Sequence, residues 1–128
     1  MARSVGLTSG ATVEIITAYA VANASVSAST PSPPWVVIGG FYMPQDAPAT
    51  LEAVGSVSLA GVSLILRLWD VAASAVVAGS TTEAINGTTD ARRLSSSFVL
   101  VGGKIYQIQA QCLGASPQTG VVRCAQLI

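Results

Sequence analysis

Few residues of this chain are able to do bond chemistry, and their spacing assembles no catalytic set. There is no histidine, so the commonest general base is missing and neither a Ser-His-Asp nor a Cys-His arrangement can be built. A Ser-Lys pair would need Lys104, the sole lysine, which follows Gly102-Gly103 at the start of a strand-like run, where a lysine is normally solvated. Gly103-Lys104 matches the end of a phosphate-binding loop, but that motif also needs Gly at 98 and Ser or Thr at 105. The chain has Phe98 and Ile105 there. The six carboxylates, Glu14, Asp46, Glu52, Asp70, Glu83 and Asp90, are scattered, and no two stand out as a glycosidase couple. Asp46 and Asp90 lie in loops without the dense oxygen ligands of a calcium site. Cys112 and Cys124 cannot hold zinc by themselves. The expectation is a non-enzyme with no catalytic residue, cofactor or metal.

Binding chemistry is better represented. Trp35, Phe41, Tyr42, Trp69, Phe98 and Tyr106 fall at apolar strand positions, where core packing is the usual fate of an aromatic ring. Trp69 is the exception, because period-two alternation puts it on the face that carries Arg67 and Ser63. Gln107, Gln109 and Gln111 share the outward face of another strand-like run. Trp69, Arg67 and these three glutamines are the candidate interaction residues, since a ring flanked by amides suits a sugar or a receptor.

The elements that must position them are strands. Short runs of Val, Ile and Leu are broken by Gly, Ser, Asn, Asp and Pro, with no sustained helical period. Residues 11–20 read as a first strand or an extended arm, and the Ser/Ala/Pro-rich stretch 23–34 as a linker or edge crossing. Further strands are expected at 35–42, where Gly39-Gly40 suggests a bulge or a close backbone approach, and at 50–60, after a loop over 43–49. The clearest strand is 62–71, where Val62, Leu64, Leu66 and Leu68 face one way and Ser63, Ile65, Arg67 and Trp69 the other. Runs at 75–80, 81–85, 91–101, 104–113 and 121–128 follow, with Asn86-Gly87 as a turn. In 104–113, Tyr106, Ile108, Ala110 and Cys112 face inward. Pairing of 104–113 with 121–128 as a hairpin would bring Cys112 and Cys124 together, so a disulfide and two buried free thiols both stay open. Eight to nine strands without a helix predict an all-β antiparallel sandwich of the jelly-roll kind, with an immunoglobulin-like sandwich next in order. The division expected is an arm, or first strand plus linker, over 1–34 and a sandwich body over 35–128.

Composition narrows the function classes. Of 128 residues, 9% are charged and the formal net charge is zero, against roughly 25% charged residues in ordinary soluble domains. Arg92-Arg93 is the sole adjacent basic pair, and on a strand its members point to opposite faces, so no nucleic-acid footprint is present. Arg67 and Asp70 interrupt the most apolar stretch, 57–77, and no membrane span is expected. Glu14 interrupts the apolar core that a signal peptide would need, which predicts a product made in the cytosol and left unprocessed. A weakly charged surface is poorly protected against association, and it suits a chain covered by its own copies or by a larger assembly.

From Leu51 onward the chain resembles small bacteriophage virion proteins. The stretches that carry the resemblance are Leu-Arg-Leu-Trp-Asp-Val (66–71), Ala-Val-Val-Ala-Gly-Ser (75–80), Arg-Leu-Ser-Ser-Ser-Phe-Val-Leu (93–100) and Gly-Gly-Lys-Ile-Tyr-Gln-Ile-Gln (102–109). Proteins that look like this are β-sandwich components such as capsid decoration or tail-associated proteins. The resemblance implies a virion location, no catalytic residues, and a homo-oligomer, a trimer by first expectation, bound to other virion proteins such as the major capsid protein. The competing expectation is a carbohydrate- or receptor-binding module of a fibre or lectin-like protein.

Overall fold

The computed structural model describes residues 20–128. They form eight strands: β1 (Ala20–Ser27), β2 (Val36–Met43), β3 (Ala47–Val57), β4 (Ser63–Asp70), β5 (Ala75–Val76), β6 (Ala91–Leu100), β7 (Lys104–Leu113) and β8 (Thr119–Leu127). One sheet has the order β1-β8-β3-β6 and the other β2-β7-β4-β5. All strand pairs are antiparallel. Only the β4–β5 connection stays within a sheet, and every other one crosses between the two. This is the jelly-roll sandwich that the strand pattern predicts.

Alternation explains which residues fill the interior. Leu64, Leu66 and Leu68 of β4 and Tyr106, Ile108, Ala110 and Cys112 of β7 are buried, as their period-two spacing requires. Leu51, Ala53 and Val57 of β3, with Val122, Ala125 and Leu127 of β8, meet them from the opposite sheet in one core. Burial of each leucine contributes about 1.5–3 kcal/mol. Gly55 is required where β3 meets β8, since an added Cβ would lie 2.3 Å from the Val121 carbonyl oxygen.

Several expectations need correction. Lys104–Leu113 and residues 121–128 do not form a hairpin: β7 and β8 lie in different sheets, and the loop 114–118 carries the chain across the sandwich. Cys112 therefore faces the core, Cys124 shares a face with Gln126 away from it, and both thiols are free. Desolvation pushes the Cys112 thiol above its ordinary value. The loop expected over 43–49 is shorter, because β3 begins at Ala47. Pro48 is tolerated there because Thr50 turns its N–H toward β8, and two residues earlier that side of β3 lies beyond the end of β8. The bulge of β2 falls between Val37 and Gly39, beside the expected glycine pair. Residues 11–19 lie outside the described residues. Ala20–Ser27, in part read as linker, is a paired edge strand, so the sandwich starts before residue 35.

The expected strand over 81–85 is a single bridge, Leu64 with Ile85, and Asn86-Gly87 lies in the crossing from β5 to β6 rather than in a hairpin. Here hydroxyls take the place of a strand. Thr82 Oγ1 accepts the Leu66 N–H at 3.1 Å and Ser80 Oγ accepts the Leu68 N–H at 3.0 Å, both buried. The inner edge of β4 is thereby satisfied beyond the two residues of β5. Removing one partner of a buried hydrogen bond costs about 1–3 kcal/mol. Thr82→Val and Ser80→Ala are each expected to lower unfolding free energy by about that amount, measured by urea denaturation, whereas exposed Thr81→Val leaves it nearly unchanged.

At one end of the sandwich, Lys104 Nζ donates to Asp70 Oδ2 at 2.7 Å, and Asp70 Oδ1 accepts the Ala73 N–H that closes the β4–β5 turn. The Lys104 hydrogen bond, followed by that of Ala73, holds the Asp70 carboxyl below its ordinary value, and the same contact with Asp70 raises Lys104. Gln126 and Arg92 likewise lower Glu52. A lowered carboxyl stabilises the fold above its unfolded value and loses that contribution as pH falls through the folded one. Stability in urea is expected to be level from about pH 5 to about pH 9, to fall below about pH 4 as the carboxyls protonate, and to fall again at higher pH as Lys104 loses its proton. In Asp70→Asn, that acid-side fall should be shallower.

Candidate functional site

The outward face of the β2-β7-β4-β5 sheet gathers the five residues singled out by type and spacing. Register places Trp69 opposite Gln107, Arg67 opposite Gln109 and Ile65 opposite Gln111. On the other side of β7, Val37 is opposite Gln109 and Tyr42 opposite Ile105. The inward aliphatics of β4 and β7 anchor both strands, and the outward residues are consequently held in rows at ladder spacing.

Arg67 is the centre of this face. Its guanidinium carbon lies 3.9 Å from the ring centroid of Trp35 and 5.0 Å from that of Trp69, distances at which an aromatic face attracts a cation. Arg67 Nε donates to Gln109 Oε1 at 2.8 Å, and Gln109 Nε2 donates to Gln107 Oε1 at 3.3 Å. Gln111 Nε2 donates to the Pro33 carbonyl at 2.9 Å. Among the described residues no carboxylate forms an ion pair with Arg67, and desolvation lowers its pKa from the usual guanidinium value.

Trp35, which its apolar strand position assigns to the core, lies instead against Arg67 on this outer face and is half-buried. The residue sits one place before β2, at the end of the crossing 28–35. Only the three-dimensional path of that proline-rich segment brings it over β4. The stacked Trp35 ring and the Gln111–Pro33 hydrogen bond pin the crossing to the sheet. Phe41 and Tyr106, by contrast, stack on the inner side with centroids 5.7 Å apart.

A second feature of the same face is apolar. Tyr42, Ile105 and Val71 form a row across β2, β7 and the end of β4, with 60%, 55% and 40% of their surface exposed. The remaining charged candidates are engaged elsewhere: Asp46 accepts the Gly102 N–H at 2.7 Å, and Asp90 accepts from Arg123 at 3.4 Å. Among the described residues, no group of three or more His, Cys, Asp or Glu is placed to hold a metal ion.

Arg67→Ala removes both ring contacts and the Gln109 hydrogen bond. It is expected to cost about 1–3 kcal/mol of stability and to raise amide exchange at Ser32 and Trp35, which carry N–H groups between and after the prolines of the crossing, both measurable on the purified chain.

No protein-family model matches the sequence, and no curated protein matches it. Solved structures do resemble the fold. A carbohydrate-binding module, CBM36, solved in complex with calcium and xylotriose, superposes with a TM-score of 0.54 at 13% identity, over 84% of this chain and 93% of that one. A chain from the structure of infectious bursal disease virus, Gt strain, superposes with a TM-score of 0.57 at 14% identity, over 98% of this chain. The match spans 37% of the viral chain, so this protein corresponds to about a third of it. At such identities the likenesses show the architecture alone: the described residues form an eight-stranded jelly-roll sandwich, the architecture shared with these two neighbours.

Proposed function

We infer that this chain is a non-catalytic structural protein of a bacteriophage virion. It decorates or stabilises the capsid through contacts among its own copies and with other virion proteins such as the major capsid protein. The observation that carries this reading is the exposed apolar row Tyr42–Ile105–Val71 on a sandwich with few charges. Such a surface gains free energy when a neighbour covers it, by about 25 cal/mol for each Å² of apolar area removed from water, and it carries little charge to oppose contact. The jelly-roll likeness to a viral chain supports the same reading at the level of architecture.

A second reading, a carbohydrate- or receptor-binding module, is favoured by one specific arrangement: Trp35, Arg67 and Trp69 beside Gln107, Gln109 and Gln111.

Mass spectrometry of purified source particles tests the lead reading. The chain is expected as a multi-copy component. Ile105→Asp, on the exposed row, is expected to keep the wild-type melting temperature while particle occupancy falls several-fold. Particles that lack the chain would refute the assignment.

A further inference from the structure

The polar atoms left over on the outer face are mostly donors. Arg67 Nε is committed to Gln109 Oε1, which fixes the orientation of that amide, so Gln109 Nε2 must point to Gln107 Oε1. That contact in turn fixes Gln107, whose Nε2 is left with two N–H groups. The terminal nitrogens of Arg67 have no hydrogen-bond partner among the described residues. Two donor groups, a guanidinium end and an amide end, therefore stand on either side of Trp69: Arg67 two residues away on the same strand face, Gln107 directly across the ladder. The other described acids that form ion pairs are taken by Arg92, Lys104 and Arg123. Among the described residues, Arg67 is a cation without a counter-charge, in a half-buried aromatic setting.

We propose that this face binds an acidic saccharide, a sugar bearing a carboxylate, with the carboxylate on the terminal nitrogens of Arg67, a ring or hydroxyl oxygen on Gln107 Nε2, and the pyranose against Trp69. The inference rests on the second reading above and names its ligand class. A guanidinium end presents paired N–H groups that match a carboxylate in a bidentate bond. The stacking of Arg67 on Trp35 and its bond to Gln109 hold the guanidinium in one orientation before any ligand arrives, which reduces the entropic cost of binding. A neutral sugar would leave the charge of Arg67 uncompensated. A polyanion without rings, such as a nucleic-acid backbone, would meet one cation where clustered basic residues are needed. No bond is made or broken in this binding.

The test is an array of uronic- and sialic-acid glycans, each printed beside its neutral methyl ester, probed with the full-length chain and followed by calorimetry on any positive pair. Binding to the free acid at least ten-fold tighter than to the ester is the expected result, weakening as salt rises. Gln107→Glu, an outward substitution that puts a negative charge beside Trp69, should abolish acid binding at an unchanged melting temperature. Arg67→Lys keeps a cation but not the paired donors, and should weaken binding several-fold. Equal affinity for acid and ester overturns the acidic-sugar assignment while leaving a saccharide site in place. Absence of binding to every glycan, acidic and neutral, overturns both. Acid binding that survives Gln107→Glu unchanged overturns the location.

Discussion

The constraint on which the structure depends is that, among the described strands, one connection alone, β4 to β5, closes within a sheet. All other strands pair with partners distant in the chain, so the two sheets cannot form one before the other from local hairpins. They must be held by the core they share. Leu64, Leu66 and Leu68 of β4 and Ile108, Ala110 and Cys112 of β7 face Leu51, Ala53, Val122 and Ala125 across that core. With those faces committed inward, strict alternation leaves Arg67, Trp69, Gln107, Gln109 and Gln111 outward. The candidate site is thus a consequence of core register: a shift of one residue in β4 or β7 would bury it.

That dependence explains what was legible in the sequence. The inner and outer faces of β4 and β7 follow from alternation, which acts over a few residues and is independent of the strand's partner. The burial of Cys112 and the exposure of Ile105 could be read in this way. Partner choice could not. Residues 104–113 and 121–128 look like a hairpin because they are adjacent in the chain, yet the short loop between them passes from one sheet to the other. Trp35 was illegible for the same reason: its contact with Arg67 depends on where the crossing 28–35 is laid, and the Pro-rich composition fixes stiffness without fixing direction.

Composition misled in two further places. Ala20–Ser27 has the small and polar residues of a linker but pairs with β8 along its length. The half-exposed edge position asks little of its side chains. Residues 81–85 have strand-like composition, yet Ser80 and Thr82 bond the backbone of β4 through their hydroxyls. Side chains complete the edge of the sheet without a full ladder, and this also shields that edge from pairing with another chain.

The outward surface then divides into an apolar row at one end, Tyr42–Ile105–Val71, and the donor-rich cluster around Arg67 further along the same sheet. The proposal of a structural role rests on the first and that of a ligand site on the second, and the two occupy different rows of one face. The most direct test of the central claim, that this protein acts by surface association, is its solution mass by light scattering over a range of concentrations. The account predicts a stable closed oligomer, with a trimer the first expectation, that dissociates on Ile105→Asp. A monomer at every concentration would contradict it.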